Sequence, residues 1–303
     1  MSTKPQIAPF PLASRALHSL RVVLGVFKLR IGVLIMITAL VGSVVTPGAP
    51  LNAMQLLALA LSVLIASAGA GAFNQYFEYE SDRAMTRTRT RAFATGALPR
   101  TWAWPILIGV LALLGVTLAA YALNTAAALY VFLGAFFYAV VYTVWLKRRT
   151  AWTIVGGGLA GSFAVLSGAA AVDPTPGIVP WLFALVLFLW TPPHFWSLAI
   201  AYEADYAAAR VPMLPLVVGA KRAAQVVFAS TLALGVASAL PAFFGLGWIY
   251  LIGSLAASAY FAYSTARLAR EPHRKNAMRS FHASLVHLSA LLIAACLDVL
   301  LIR

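Results

Sequence analysis

Acidic residues are scarce in this chain: eight Asp and Glu among 303 residues, against 22 Lys and Arg. Charged residues of both signs make up 10% of the sequence, where a soluble domain carries about 25%. Set beside a hydrophobic content of 62%, that scarcity excludes an ordinary water-solvated core, and lipid must be the solvent for most of the chain. Cysteine is reduced to one residue, Cys296, which excludes a disulfide framework and reads as packing within the last apolar stretch. The Gly-rich run Gly156-Gly-Gly-Leu-Ala-Gly161 lacks the Lys-Ser/Thr of a phosphate-binding loop. Gly157 and Gly161 instead form a small-xxx-small pair suited to close helix packing. His282 and His287 lie about 140° apart on a helix and do not make a shared metal site.

What is present is a series of long apolar runs. A spanning helix needs about 20 such residues, and nine stretches qualify, near 29–46, 52–77, 102–122, 125–146, 151–172, 178–202, 223–244, 247–267 and 281–301. The first starts at Lys28 and Arg30, whose long side chains are expected to snorkel to the interface. With nine spans, 21 of the 22 Lys and Arg fall on one side of the membrane and only Arg303 on the other. The positive-inside rule then places the N-terminus in the cytoplasm and the C-terminus outside. The same placement explains the net charge of +14 without nucleic acid. The expected organisation is a cytoplasmic tail over 1–27 and one membrane domain over 28–303. The tail, acid-free and rich in Arg and Ser, also has the look of a mitochondrial presequence. The bacterial inner membrane is the expected site, with the mitochondrial inner membrane as the alternative. Polar loops around 79–101 and 203–222 follow spans two and six. That spacing suggests a duplicated four-helix unit, so the expected fold is an all-α polytopic bundle around a central cavity.

Five of the eight acids gather in those two loops, at the cytoplasmic ends of long spans. An ionisable group near a membrane core is costly and marks a functional site by default. The first cluster reads Asn74-Gln-Tyr-Phe-Glu78-Tyr-Glu80-Ser-Asp82. If the helix continues to its end, Asn74, Glu78 and Asp82 form one stripe about 12 Å long, turning about 40° per step. Oxygen ligands so arranged suit Mg2+, which commonly bridges a few carboxylates to substrate phosphates. Arg83, Arg87, Arg89 and Arg91 follow at once, and guanidiniums suit the remaining phosphate oxygens. The plain alternative is a solvated helix end whose charges pair among themselves or with lipid headgroups.

The second cluster is Thr191-Pro-Pro-His194-Phe-Trp-Ser-Leu-Ala-Ile-Ala-Tyr202-Glu203-Ala-Asp205-Tyr206. Pro192 and Pro193 are expected to break or kink span six. His194 and Asp205, eleven residues apart, then face one cavity about three turns from each other. Tyr76, Phe77, Tyr79, Phe195, Trp196 and Tyr202 are the expected lining for an apolar chain.

These residues carry a family likeness. Asn74-Gln-Tyr-Phe-Glu78-Tyr-Glu-Ser-Asp82 resembles the Asn-xxx-Asp/Glu-xxx-Asp signature of the UbiA-type intramembrane prenyltransferases. The run Arg83-Ala-Met-Thr-Arg87-Thr-Arg89-Thr-Arg91, with Tyr142-Thr-Val-Trp-Leu-Lys147, Thr191-Pro-Pro-His194-Phe-Trp196, Val211-Pro-Met-Leu-Pro215 and the final span with Asp298, is similar to the protoheme IX farnesyltransferase (heme O synthase) branch. The likeness runs from about residue 20 to the end. The sequence departs from the pattern at Glu78, where many relatives have Asp, and at Ala92 and Leu29, where Pro is usual. The resemblance implies transfer of a farnesyl group from farnesyl diphosphate to heme B, giving heme O and diphosphate. It implies Asn74, Glu78, Asp82 and Asp205 at Mg2+, and Arg87, Arg91, Lys147 and Arg148 on diphosphate or heme propionates. It implies His194 and Tyr202 orienting heme, with Glu203 behind them. The partners it implies are the two substrates, the lipid bilayer and a heme A synthase or oxidase assembly proteins. A quinone-type or chlorophyll-type acceptor, a transporter and a non-catalytic assembly factor are the rival readings. The transporter would leave diphosphate intact, and the assembly factor would tolerate neutral residues at positions 78 and 82.

Overall fold

The computed structural model describes residues 20–302, and those residues are helical with no strand among them. In chain order the helices are α1 (Leu20–Val26), α2 (Leu29–Val45), α3 (Ala53–Phe77), α4 (Tyr79–Ala84), α5 (Ala92–Thr95), α6 (Ala103–Ala122) and α7 (Thr125–Phe136), which runs on as a π-helix over Phe137–Leu146. There follow α8 (Thr153–Val172), α9 (Ile178–Ala201), α10 (Glu203–Ala208), α11 (Leu214–Val218), α12 (Ala220–Ala239), α13 (Trp248–Arg270) and α14 (Arg274–Ile302).

Seven of these helices are long and apolar enough to span a bilayer, and α1 with α2 makes an eighth if the pair, bent by 47°, counts as one span. The expected nine is therefore not the number that length and apolarity give. The difference is α13, which has 23 residues but carries three Tyr, three Ser and two Arg. Residues 20–27, placed in the tail by sequence, include α1, whose Val26 is fully buried against the Ala72 and Phe93 cluster. The rest of the expected tail lies outside the described residues. The duplication shows in the backbone. Both α3 and α9 end in a one-residue kink followed by a six-residue helix, α4 and α10.

The hydrophobic effect does not hold helices together in lipid, so packing rests on small residues and polar bonds. Gly42 on α2 and Gly168 on α8 sit against each other's backbones. A Cβ on Gly42 would overlap the Val165 carbonyl, and one on Gly168 would overlap that of Ala39. Asp298 on α14 caps a different helix, accepting from Gly247 N at 2.6 Å and Tyr250 N at 3.0 Å at the start of α13. That satisfies two donors that the helix itself leaves orphaned.

The double proline does not break α9, which is continuous through Pro192 and Pro193. The two rings remove the donors for the carbonyls of Phe188 and Leu189, yet the helix runs on in close contact with its surroundings. Thr191 Oγ1 donates to Leu187 O at 2.9 Å. Gly158 of α8 packs directly on the freed Phe188 carbonyl, where a Cβ would lie 3.2 Å away. Gly168→Ala is expected to force α2 and α8 apart and cost about 3 kcal/mol or more. Thermal unfolding of the detergent-extracted protein checks this, and a wild-type Tm would show the crossing to be looser than described.

Candidate active site

The chamber is built around the kink at the end of α3. The sequence suggested one unbroken helix through Asp82, but α3 stops at Phe77 and Glu78 takes φ −92° and ψ 12° before α4 begins. The four-residue spacing survives the kink, because Glu78 N bonds Asn74 O at 3.0 Å and Asp82 N bonds Glu78 O at 2.9 Å. Asn74, Glu78 and Asp82 all line one cavity of about 380 Å³, within the range of small-molecule sites at about 300–1,000 Å³. Each of the three is only 3% exposed.

Every one of these oxygens already has a partner. Lys147 Nζ lies 2.6 Å from the Glu78 carboxylate. Arg91 reaches both Asp82 oxygens, at 2.8 and 2.9 Å. Asn74 donates to Glu78 at 2.8 Å and to Thr143 Oγ1 at 3.1 Å, and accepts from Lys28 Nζ at 2.5 Å. Four cations (Lys28, Arg87, Arg91 and Lys147) face two carboxylates in the lining, a surplus of two positive charges.

Three residues of this chamber were not singled out in the sequence. Lys28 was expected to snorkel, but its ammonium points inward, also donating to Tyr138 OH at 3.2 Å. The backbone imposes this direction. Lys28 sits between α1 and α2 at φ 49°, a left-handed conformation uncommon for a residue with a Cβ. Gln75 holds the turn by donating to the carbonyls of Gly25 and Val26 at 2.9 and 3.1 Å. Gly71 lets it approach α3, since a Cβ there would lie 3.2 Å from Phe27 O.

The other two are Tyr138 and Tyr142, and their position depends on the π-helix. Tyr138 and Lys147 are nine residues apart, which is two and a half α-helical turns and opposite faces. At about 4.4 residues per π turn the same interval closes on one face. Lys147 N accordingly bonds Tyr142 O, five residues back, at 3.0 Å. Tyr138, Tyr142 and Lys147 thus form one wall, with the two rings stacked at 5.7 Å. Gly157 leaves room for that wall, because a Cβ there would meet the Tyr142 ring at 2.8 Å.

Beyond Lys28, Ile31 and Tyr138 the chamber meets an apolar slot between α2, α3, α7 and α8, lined by Ile35, Val63, Ala66, Ala70, Gly134 and Ala164 among others. Small and aliphatic residues, not the expected aromatics, make this slot. Of those aromatics only Phe195 faces the chamber. Tyr76 packs edge-on against Phe93, Tyr79 lies under Arg100, and Trp196 is core, against Trp152.

Other expected residues stand elsewhere. Asp205 does not line the chamber. Its two oxygens accept the backbone N–H groups of Thr86 at 3.1 Å and Arg87 at 3.0 Å, tying α10 to the turn after α4. Partial burial pushes its carboxyl pKa up, but the Arg87 and Thr86 amides and the Arg87 charge outweigh this and hold it below the usual 3.8. His194 shares a hydrogen bond of 2.6 Å with Ser284 Oγ and lies between Trp190 and Phe281, facing α14. His194 and Asp205 therefore do not face one cavity. The eleven-residue phase is lost at Tyr202, where φ −123° and ψ 34° separate α9 from α10. Arg148 is exposed and outside the lining, unlike its neighbour Lys147.

Among the described residues no three His, Cys, Asp or Glu side chains converge as a metal cage. Two carboxylates and an amide oxygen nevertheless suit Mg2+, which takes one or two carboxylates and fills its remaining positions with water and phosphate. The donor set fits that ion, provided the bound anion draws Lys28, Arg91 and Lys147 away.

A helical bundle with carboxylates and surplus cations at the head of an apolar slot defines a class, and comparison with known proteins gives the same one. The chain belongs to the UbiA prenyltransferase family, whose pattern matches residues 35–289. It is 52% identical to protoheme IX farnesyltransferase 2 of Paramagnetospirillum magneticum over 93% of this chain and 98% of that protein. Solved structures share the fold. One is described under the biosynthesis of digeranylgeranylglyceryl phosphate synthase in membranes (TM-score 0.76, 19% identity, 93% of this chain and 99% of that one). Another is a UbiA homolog from Archaeoglobus fulgidus bound to DMAPP and Mg2+ (TM-score 0.67, 13% identity, 88% and 99%).

Asp205→Ala is expected to speed amide hydrogen exchange at Thr86 and Arg87 by about tenfold. Because the carboxyl is held low, the clasp is complete above pH 3.8 and is lost only as pH falls through the lower folded-state value. Exchange corrected for intrinsic rate is thus the same at pH 5 and pH 7 in the wild type. Equal exchange in wild type and variant would remove the clasp.

Proposed function

We propose that this chain is a protoheme IX farnesyltransferase, joining the farnesyl group of farnesyl diphosphate to a vinyl group of heme B to give heme O and diphosphate. The observation that carries the reading is the junction at Lys28 and Tyr138, where a cation-rich chamber opens onto an apolar slot. An isoprenoid diphosphate has that same division, a compact polyanion on an apolar tail. Identity of 52% to a protein named for this reaction supports heme B as the acceptor.

In this mechanism Lys28, Arg91 and Lys147 grip the diphosphate, with Arg87 at the chamber's edge, and its negative charge competes with Asn74, Glu78 and Asp82 for the three inner side chains. Asn74, Glu78 and Asp82 are the residues that would hold Mg2+. The bound ion supplies Lewis-acid neutralisation of the departing diphosphate. When the C1–O bond breaks, the electron pair leaves with diphosphate and the allylic cation is left beside the stacked Tyr138 and Tyr142 rings, whose faces favour positive charge. The apolar slot excludes water from the tail and from premature capture. The vinyl terminus bonds to C1, and the cation left next to the porphyrin takes a water oxygen and releases a proton, which balances the reaction. His194, held by Ser284 outside the chamber, would act as a positioning residue for α9, whose Phe195 and Leu198 line it. The chamber's mouth opens to the cytoplasmic side of the inner membrane, and a heme A synthase or oxidase assembly protein receives the product.

Purified protein with heme B, farnesyl diphosphate and Mg2+ is expected to yield heme O by mass analysis. Product absent under conditions where a known farnesyltransferase works would refute the reading. Asp82→Asn is expected to lower kcat by at least about a hundredfold, with a lowered but still cooperative thermal transition because Arg91 loses its partner. Wild-type turnover in that variant would refute the metal role.

A further inference from the structure

Tyr202 stands at the kink between α9 and α10, one turn beyond Leu198, which lines the chamber. Two guanidiniums lie over its ring, that of Arg87 at 5.7 Å from the centroid and that of Arg274 at 5.4 Å. They come from distant parts of the sequence: Arg87 from the turn after α4, Arg274 from the first residue of α14. Among the described residues neither takes part in an ion pair, the three present being Asp82–Arg91, Glu78–Lys147 and Glu271–His273. Asp205 accepts the backbone N–H of Arg87 and feels its charge without forming an ion pair with it. Glu271, the acid nearest to Arg274 in sequence, is turned to His273 and Asn276, each at 3.4 Å.

Two like charges brought to one ring repel each other, and although the Asp205 carboxylate feels the Arg87 charge, no ion pair among the described residues answers Arg274. The arrangement is completed by an anion. Forked, planar donors suit the paired oxygens of a carboxylate or a phosphate. A diphosphate has its own cations deeper in the chamber, where Lys28, Arg91 and Lys147 lie and Arg274 does not.

We propose that Arg87, Tyr202 and Arg274 form a clamp for a propionate carboxylate of the tetrapyrrole. This rests on heme B being the acceptor. Heme B carries its propionates on the edge of the macrocycle opposite its vinyl groups. Holding a propionate at the polar mouth therefore sets the vinyl edge one macrocycle width deeper, past Leu198 and Phe195 toward Glu78 and Asp82. Arg87 joins the two regions, since it lines the chamber and lies over Tyr202. The Asp205 clasp on its backbone then becomes part of acceptor positioning, and Arg274 becomes a binding residue supplied by the last helix.

The test is Arg274→Gln in the full-length protein, assayed with heme B and with heme B dimethyl ester, whose propionates carry no charge. The variant is expected to raise KM for heme B roughly three- to tenfold while KM for farnesyl diphosphate stays within about twofold. With the ester the variant and wild type are expected to coincide. Arg274→Lys, which keeps charge without the fork, is expected to recover part of the loss. A rise in KM for farnesyl diphosphate would assign Arg274 to phosphate and overturn the clamp. So would an equal loss with ester and free acid, or no loss with either. Should the wild type make no heme O, it is the acceptor reading that fails. Absorbance titration of heme B then decides the clamp separately, with equal Kd for wild type and Arg274→Gln overturning it.

Discussion

A charge placed at the edge of a lipid-solvated bundle has to be answered by another group of the protein, and this rule organises the whole chamber. Glu78 and Asp82 are buried, and each is held by a cation, at 2.6 Å from Lys147 and 2.8 Å from Arg91. Such pairs add little net stability, because desolvation consumes most of the Coulomb gain, whereas removing one partner costs about 3–5 kcal/mol. Their value here is readiness. On the proposed reading, a diphosphate would draw the Lys and Arg side chains and leave Asn74, Glu78 and Asp82 to hold a divalent cation. Each pair that opens is replaced by a new one, so the chamber exchanges partners without leaving a bare charge in a medium of low dielectric.

The same rule explains why the surrounding backbone is irregular. A straight α2 would carry Lys28 outward, a plain α7 would set Tyr138 and Lys147 on opposite faces, and an unkinked α3 would carry Asp82 further along a single line. The left-handed turn, the π-helix and the kink at Glu78 each depart from ideal helix geometry, and all three meet at Asn74. Its amide touches Lys28, Glu78 and Thr143 together. Irregular backbone in a membrane protein is tolerated where it is buried or lines a polar cavity, and here it is concentrated around one asparagine.

This also sets what the sequence could disclose. Apolar runs and the placement of acids are properties of composition, so the bundle, the Asn74–Glu78–Asp82 cluster and the nearby Arg and Lys were legible. Lys28, Tyr138 and Tyr142 were not, because their direction depends on local windings that a regular 3.6-residue period cannot represent. The double proline misled for a related reason. Its effect depends on the surroundings, and here Gly158 of α8 packs on the Phe188 carbonyl while the helix runs on. Asp205 sits in a motif that suggests metal binding, yet its partners are two backbone amides from a segment about 120 residues earlier, a contact no local spacing announces. The count of spans faltered at α13, which is polar enough to fall short by composition and is capped from outside by Asp298.

The two halves share a design and use it differently. In each, a long helix ends in a kink and a short helix follows, but α3–α4 directs Glu78 and Asp82 into the chamber while α9–α10 turns Asp205 onto the other half's loop. Were Asp205 also directed inward, the chamber would hold three carboxylates against four cations and lose half of the surplus that favours a polyanion. Diverting Asp205 preserves that surplus and fixes Arg87 at the chamber's edge. The kink residue of the second half, Tyr202, is then free to present its ring to Arg87 and Arg274. The two halves thus carry similar kinks, of which only the first directs acids into the chamber.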